Sequence, residues 1–364
     1  MTTRTLPTGS HRLIICLGPG GVGKTTLSAA FALEAAIGGR AVEVMTVDPA
    51  PRLLDALGLD GGGAEAHPVE LQGLGAKPGG RLHARKLDPR RTFDALVERY
   101  APSPSARDTI LADRIYRNLA SALPGVADYM AMEQLLVLHR DRAADVIVLD
   151  TPPAREAIDF LDAPRRMLEL LESRALTLLG ASRDLMRGPI GMLDLAARAV
   201  LTAFDRLTGL HLLGDVQAFV RGFEGMYGGF ADRAAAAQAL IRDDQCLIVL
   251  VTTAESERIA QTREFITALN DLGLRIGAVV VNRVMAEVPD AAELRRAEIP
   301  APLKRKLARN LADFAALKRR ETVSLEALRA SLAPETSLIV APDLGHEPRS
   351  LKHLAQIAAN LRVT

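Results

Sequence analysis

The sequence predicts an α/β fold in which a mostly parallel central sheet is covered by helices on both faces. Seven short runs rich in Val, Ile and Leu recur along the chain, with helical patterns between them. Several of these runs are continuously apolar, as expected for strands that are buried on both faces. Strands that alternate with helices are typical of a parallel sheet. The predicted strands are Leu13–Leu17, Ala41–Val47, Leu82–Leu87, Val146–Leu149, Leu247–Val251, Ile276–Val281 and Leu338–Val340.

The composition indicates a globular chain and argues against several classes of partner. Its 364 residues are 48% hydrophobic and 24% charged, which is enough for a large buried core. Lys and Arg total 45 against 44 Asp and Glu, so we expect no nucleic acid and no other partner recognised mainly through charge. No run approaches the ~18 uninterrupted apolar residues of a membrane span, and residues 1–11 lack the apolar core of a signal peptide. We therefore expect a cytoplasmic protein without an integral membrane segment.

A phosphate-binding loop is the most specific motif in the chain. Residues 18–25 follow the pattern of Gly, four residues, Gly, Lys and Ser or Thr, between the strand predicted at Leu13–Leu17 and a helix predicted over Thr25–Ile37. Glycines let successive backbone N–H groups point at a polyphosphate, and the helix N-terminus adds partial positive charge. Lys24 is predicted to reach the β and γ phosphates of ATP and to act in catalysis. The predicted ATP-binding residues of the loop are Gly20, Gly21, Val22, Gly23, Lys24, Thr25 and Thr26.

Two acidic residues at predicted strand ends complete the candidate site of a P-loop NTPase. Asp150 follows the apolar run Val146–Leu149, and together with the Thr25 hydroxyl it is predicted to ligate Mg²⁺. Asp48 follows the predicted strand Ala41–Val47, where a carboxylate can orient the water that attacks the γ phosphate. For either acid, the alternative is an ordinary turn residue at a strand end.

Three segments together resemble the family of the arsenite-pump ATPase and of the eukaryotic factor that targets tail-anchored membrane proteins. They are Gly20–Thr26, Thr46–Ala50 and Asp150–Pro153. The resemblance implies a deviant Walker A, MinD-like ATPase with a helical subdomain, working as a nucleotide-gated dimer. It further implies that Asp48 orients water in the first switch and that Asp150 begins the second. By the same resemblance Asn282 reads adenine, and Pro342 belongs to the base pocket.

Three departures from that family bear on the mechanism. The family's loop normally carries a Lys that reaches the partner's ATP across the dimer, and this chain has Pro19 at that position. Hydrolysis is therefore expected to be slow unless a sister subunit supplies the missing charge. The dimer-bridging Cys-x-x-Cys zinc site is absent from the sequence. The chain also holds one ATPase unit where the arsenite ATPase is a tandem duplication, which argues against arsenite handling.

Two ranges without strand patterns, about 91–139 and 163–241, are predicted to be helical insertions in a single ATPase domain that spans residues 1–364. The range 61–80 is rich in Gly and Ala and is predicted to be a surface loop. The second insertion carries an apolar stripe at helical spacing, which indicates either packing between helices or a groove for an apolar partner helix. The stripe consists of Val216, Phe219, Val220, Phe223, Met226, Tyr227 and Phe230.

The predicted function is an ATP-binding and hydrolysing dimeric switch whose nucleotide state controls the binding of a hydrophobic client or partner protein. Two alternatives stay open. One is a weakly catalytic ATP-binding subunit of a heterodimer with a sister ATPase, and the other is a subunit of an anion-transport ATPase.

The last helix, whose apolar stripe includes Leu354 and Ile357, is predicted to dock on the core rather than to lie on a membrane.

Overall fold

The computed structural model of the chain describes residues 11–48, 50–59, 65–113, 116, 124–172, 226–289, 291–296 and 298–363. The chain divides into two compact units. The first comprises Met1–Lys86, Leu138–Ile158 and Arg242–Thr364, and the second comprises Leu87–Val137 and Asp159–Ile241. The second unit contains most of the two ranges predicted to be helical insertions. That these ranges are insertions in a single ATPase domain stays a prediction.

A nine-stranded sheet forms the centre of the first unit. The strands are β1 (Leu13–Leu17), β2 (Ala41–Thr46), β3 (His67–Val69), β4 (Arg81–Lys86), β5 (Val146–Asp150), β6 (Cys246–Thr253), β7 (Ile276–Val284), β8 (Ser337–Pro342) and β9 (Arg362–Val363). Their order is β3-β4-β2-β5-β1-β6-β7-β8-β9. The pairs β3–β4 and β8–β9 at the two edges are antiparallel, and all other neighbours are parallel. The predicted mostly parallel sheet is therefore confirmed.

All seven predicted strands are present, and two further strands were not predicted. Both additions are short edge strands, β3 with three residues and β9 with two. The prediction of a surface loop over residues 61–80 is wrong at β3. An edge strand of three residues that begins His67-Pro68 is too short to show an alternating pattern, so its pairing with β4 was not visible in the sequence.

The described residues form eleven helices. They are α1 (Lys24–Ile37), α2 (Arg52–Ala56), α3 (Pro89–Tyr100), α4 (Pro104–Ala112), α5 (Pro124–Arg140), α6 (Ala154–Leu171), α7 (Tyr227–Arg242), α8 (Ser256–Asp271), α9 (Ala291–Arg296), α10 (Ala301–Arg329) and α11 (Leu351–Ala359). Within the ranges that the structure describes, none of these helices is both long and apolar enough to cross a membrane.

The core of the first unit lies against the central strands of the sheet. β1 pairs with β5 on one side and β6 on the other, which is why all five of its residues are buried. Helices α1 and α11 pack against each other, and both contribute to this core. Leu354 is fully buried and Ile357 is 8% exposed, so the prediction that the last helix docks on the core is confirmed.

The second unit has a smaller aromatic core. Phe230 of α7 packs edge-on against Phe93 of α3, with ring centroids 6.1 Å apart, and lies 6.3 Å from the Tyr129 ring of α5. Met226 and Phe230, the end of the predicted apolar stripe, are therefore core residues. The stripe residues from 216 to 223 lie outside the described residues.

Candidate active site

The turn between β1 and α1 depends on glycine at two points of close approach. Gly18 has a φ of 147°, and a Cβ at this position would lie 2.1 Å from the carbonyl oxygen of Val251. Gly23 has a φ of 93° immediately before α1, and a Cβ there would lie 2.3 Å from Asn282 Nδ2. Any larger residue at either position would have to displace its neighbours, so these glycines fix the path of the loop.

The remaining loop residues leave backbone groups open to a ligand. Gly20 and Gly21 are exposed, whereas Val22 between the loop and α1 is only 1% exposed. Thr25 and Thr26 lie half-buried in the first turn of α1. The N–H groups of a first helical turn have no acceptor within the helix, so this end of α1 attracts an anion.

The Lys24 ammonium is held inside the loop by neutral groups. Its side chain is 8% exposed, and Nζ donates hydrogen bonds of 3.0 Å to the carbonyl oxygens of Gly18 and Pro19. Burial lowers the pKa of Lys24, and the charge of Asp150 only partly opposes that change. A triphosphate in the loop would supply the negative charge that the two carbonyls do not.

Asp150 at the end of β5 is surrounded by hydroxyl groups. Its Oδ2 accepts hydrogen bonds from Thr25 Oγ1 at 2.9 Å and from Thr46 Oγ1 at 3.2 Å, and its Oδ1 accepts one from Ser28 Oγ at 3.4 Å. The carboxyl group is 1% exposed. Burial raises its pKa to about 6, although the hydroxyls of Thr25 and Thr46 and the charge of Lys24 favour the ionised form. The two predicted magnesium ligands, Thr25 and Asp150, are thus in direct contact.

Asp48 lies just beyond the end of β2, the strand that pairs with β5. Its backbone N–H donates to Thr46 Oγ1 at 3.2 Å, and its Oδ1 accepts from the N–H of Ala50 at 2.9 Å. The other carboxylate oxygen lies 3.7 Å from Nη1 of the exposed Arg52. Thr46 therefore contacts both predicted acids, through its side chain to Asp150 and through the same oxygen to the backbone of Asp48.

Asn282 near the end of β7 supports the loop directly. Its Nδ2 donates to the carbonyl oxygen of Val22 at 2.8 Å, and its Oδ1 accepts from the N–H of Arg283 at 3.0 Å. Pro342 lies at the end of the adjacent β8, in register with Val284. The nitrogen and the oxygen of the Asn282 side-chain amide thus both have hydrogen-bond partners within the chain, and through Val22 the side chain supports the loop. Recognition of adenine by Asn282 and Pro342 stays a prediction.

A cavity of about 660 Å³ opens beside Pro19 and Gly20. Within it Arg258 Nη1 donates to Gln261 Oε1 at 3.0 Å. Pro19, at the position where the resembled family carries a Lys, therefore lines an open groove. This groove already contains the positive charge of the Arg258 side chain. The other lining residues come from the start of α6 and from α8, and they are Pro153, Glu156, Ile158, Glu264, Phe265 and Ala268.

Three hydroxyl side chains at this site were not predicted as site residues from the sequence. Ser28 and Thr46 both donate to Asp150, and the Thr151 hydroxyl donates to the carbonyl oxygen of Cys16 at 2.7 Å. Ser28 follows Thr25 by three residues, so helical spacing already placed the two hydroxyls on one face of α1. The strand order that brings Thr46 beside Asp150 cannot be read from either local pattern.

Comparison with known proteins identifies relatives over most of the chain. An uncharacterised protein of Streptomyces coelicolor is 30% identical over 280 residues, which cover 76% of this chain and 63% of that protein's length. The ATPase GET3 of Malassezia globosa is 27% identical over 286 residues, covering 77% of this chain and 75% of that protein. A putative arsenical pump-driving ATPase of Aquifex aeolicus is 23% identical over 278 residues, covering 75% and 80%.

A family match agrees with these relatives. The family described as anion-transporting ATPase, of the ArsA type, matches residues 11–314, well over half of the chain. This range contains the phosphate loop, both acids at the strand ends and Asn282. The match confirms the predicted family, the P-loop NTPase fold and the predicted ATP hydrolysis. The chain belongs to the anion-transporting ATPase family.

Proposed function

We propose that the chain is a dimeric switch that binds and hydrolyses ATP, and whose nucleotide state controls the binding of a hydrophobic client or partner protein. The observation that carries the proposal is the meeting of Lys24, Thr25 and Asp150 at the carboxyl ends of adjacent parallel strands, with Asp48 one strand further along. Ligands of open parallel sheets bind at this edge.

The first step is capture of the triphosphate. The exposed backbone of Gly20 and Gly21 and the first turn of α1 face the ligand with N–H groups, and Lys24 adds a full positive charge. The ammonium is buried, and its hydrogen bonds to described residues go to carbonyl oxygens, so moving it onto phosphate oxygens replaces neutral partners by charged ones. Binding is therefore expected to depend on Lys24 more than on any other side chain of the loop.

The oxygen atoms around Asp150 fit a magnesium site. Mg²⁺ prefers hydroxyl, carboxylate and phosphate oxygens, and Thr25 and Asp150 present the first two 2.9 Å apart. When bound, the ion would neutralise charge on the β and γ phosphates. The chain's own contribution is to hold the Asp150 carboxylate in place through Ser28 and Thr46 and to keep it ionised near neutral pH.

Asp48 is proposed to orient the attacking water. Its Oδ1 is fixed by the N–H of Ala50, which sets the direction of the carboxylate. A positioned base of this kind contributes ~10²–10⁴-fold to a rate. Since Thr46 connects Asp48 with Asp150, the loops after β2 and β5 are expected to respond together when the γ phosphate leaves.

Dimer formation and client binding rest on the family resemblance. The proposed client surface is the part of the apolar stripe from 216 to 223, which lies outside the described residues, since Met226 and Phe230 at the end of the stripe belong to the core of the second unit. Hydrolysis would then change the pairing of two chains and release the client.

Pro19 favours a second candidate, a weakly catalytic subunit that pairs with a sister ATPase. The groove beside Pro19 has space for a side chain from another subunit, and none of the described residues that line it is a lysine. Under this candidate, Pro19→Lys should raise the turnover of the purified chain at least tenfold by restoring the contact in a homodimer. An unchanged turnover would contradict a missing charge as the limit on hydrolysis.

The switch is tested with Asp48→Asn, using the exposed Asp271→Asn as the matched control. Asp48→Asn should bind ATP as the wild type does, hydrolyse it ~100-fold more slowly, and stay dimeric with MgATP. Light scattering after gel filtration measures the mass with MgATP, with ADP and without nucleotide. A single mass for every chain in all three conditions would refute the switch while leaving ATP hydrolysis intact.

A further inference from the structure

Helix α10 has an anchored end and a bare end. Near its C-terminus Leu328 is fully buried, and the buried Glu321 carboxylate accepts a hydrogen bond of 3.0 Å from the N–H of Met285. Residues 301–320 are mostly exposed, and at 1.5 Å per residue they extend over about 30 Å. The first two thirds of the helix thus lie largely in solvent.

Four large apolar side chains follow one line along this bare segment. Leu303 is 45% exposed, Leu307 38%, Phe314 52% and Leu317 49%. Steps of four, seven and three residues place all four on one face of the helix. A row of exposed leucine and phenylalanine side chains is costly in water and marks a surface that is covered in use. We call it the α10 stripe.

The same segment concentrates positive charge. Residues 301–320 contain seven Lys or Arg and a single acid, Asp313, although the whole chain has a net charge of only +1. The overall balance of charge therefore does not extend to this helix. The cations are Lys304, Arg305, Lys306, Arg309, Lys318, Arg319 and Arg320, of which Lys318 pairs with Glu321 just after the segment.

The distribution of these cations favours a broad anionic surface over a single helix as the partner. Lys304 and Lys306 flank the stripe, whereas Arg305 and Arg319 lie on the opposite side by helical spacing. A second copy of α10 would place its own flanking lysines against Lys304 and Lys306, and the like charges would repel. A single acidic helix would contact only the lysines on the two flanks of the stripe. A bilayer surface extends past both flanks of a helix that is about 10–12 Å wide, so its anionic headgroups can lie beside the flanking lysines, while cations on the far side, beyond a Debye length of about 8 Å, add little.

We propose that residues 301–320 dock on an anionic lipid bilayer, with the α10 stripe buried at the boundary between headgroups and acyl chains. An apolar row with Lys or Arg beside it is what an interfacial helix requires. A further side of the segment, with Ala308, Leu311 and Ala312, lines a cavity together with Pro289 and Leu294. This proposal does not depend on the proposed switch, since none of these residues belongs to the nucleotide site.

The anchored end of α10 would hold the first unit, which contains the phosphate loop, at the bilayer surface. Besides the Glu321 contact, Lys318 Nζ donates to the carbonyl oxygen of Met285. Met285 directly follows β7, the strand that carries Asn282, and Asn282 holds the phosphate loop through Val22. A short covalent and hydrogen-bonded connection therefore joins the docking helix to the site.

Vesicle flotation of the full chain without nucleotide tests the proposal. The wild type should float with equimolar phosphatidylcholine and phosphatidylglycerol but not with phosphatidylcholine alone, and added salt should release it. The double variant Leu307→Ser/Phe314→Ser should reduce the floated fraction at least tenfold, and so should Lys306→Glu/Arg309→Glu. The matched control is Val323→Ser, which changes an apolar residue 64% exposed on another side of the same helix and should float like the wild type.

Thermal unfolding and ATP turnover of each variant establish that it is folded. Failure of the wild type to float with anionic vesicles would overturn the proposal. So would equal flotation of the stripe variant and the control. If the stripe variant instead changes only the mass of the chain in gel filtration, the stripe contacts a second copy and the lipid proposal is wrong.

Discussion

Each of the two units buries a cluster of charged side chains, and the two clusters satisfy their charges in different ways. In the second unit Arg233 of α7 pairs directly with Glu133 of α5, and the two side chains are 5% and 0% exposed. In the first unit the Lys24 ammonium donates to two backbone carbonyls, and the Asp150 carboxylate accepts from three hydroxyls. We call the Glu133–Arg233 pair the closed cluster, because its two charges bind each other. We call Lys24 and Asp150 the open cluster, because each of these charges is bound by neutral groups.

The difference indicates which cluster is built for a charged ligand. A buried ion pair with its remaining atoms hydrogen-bonded has little left to offer a phosphate or a metal. Glu133 is of this kind, since Tyr129 donates to its other oxygen at 2.7 Å. Lys24 and Asp150 keep that capacity, and their pKa values show the cost: burial lowers the first and raises the second to about 6.

Breaking the closed cluster should have the largest effect, and on stability alone. Glu133→Ala would leave the Arg233 guanidinium buried without its carboxylate and should lower the free energy of unfolding by ~3–5 kcal/mol. Denaturant unfolding measures this loss. Glu133→Leu/Arg233→Met removes both charges and should recover most of it. A double variant no more stable than Glu133→Ala would contradict the assignment of the pair as a closed structural unit.

Neutralising the open cluster should affect turnover and stability in opposite directions. Asp150→Asn should lower magnesium-dependent ATP turnover by ~100-fold, because the amide is a poor magnesium ligand. Without magnesium and near neutral pH, it should raise the free energy of unfolding by ~1–2 kcal/mol, because the raised pKa means that burial disfavours the charge. Turnover assays and denaturant unfolding test the two effects, with Asp271→Asn as control. A variant that is both active and unchanged in stability would place Asp150 outside the site.

The pH dependence of magnesium binding and of stability should show the raised pKa of Asp150 in the open cluster. Protons compete with Mg²⁺ for Asp150, so the apparent magnesium affinity should fall about tenfold for each pH unit below about 6. In the absence of magnesium, the contribution of Asp150 to stability should instead fall as the pH rises. The folded pKa lies above the ordinary value of 3.8, so this group's contribution is full below 3.8 and is lost as pH rises to about 6. Titrations of turnover against Mg²⁺ at several pH values measure the first effect, and an Asp150→Asn chain with the wild-type pH profile of stability would contradict the second.

Loosening the support of the open cluster should have the smallest effect. Asn282→Ala removes the hydrogen bond to the loop residue Val22, and a local one from the N–H of Arg283, without touching Lys24 or Asp150. A single neutral hydrogen bond is worth ~1 kcal/mol, so ATP affinity should fall about fivefold. Fluorescent nucleotide titration measures it. If selectivity for ATP over GTP collapses instead, Asn282 reads the base as the sequence predicts, and its hydrogen bond to Val22 is secondary.

The sequence predicted the open cluster better than the closed one for a physical reason. The phosphate loop is contiguous, and the acids Asp48 and Asp150 follow continuous apolar strands, so local patterns identify them. Glu133 and Arg233 are 100 residues apart on two helices, and neither helix pattern contains the pairing. The edge strands β3 and β9 were not predicted either, because they are too short to show a period.

We propose that the buried Lys24 ammonium binds the triphosphate of ATP, and titration of MgATP onto Lys24→Ala decides whether this claim holds. The matched control is Lys352→Ala, which removes an exposed lysine of α11. We predict that Lys24→Ala weakens MgATP binding at least tenfold and abolishes measurable turnover, whereas the control matches the wild type. Wild-type affinity and turnover in a folded Lys24→Ala chain would contradict the claim.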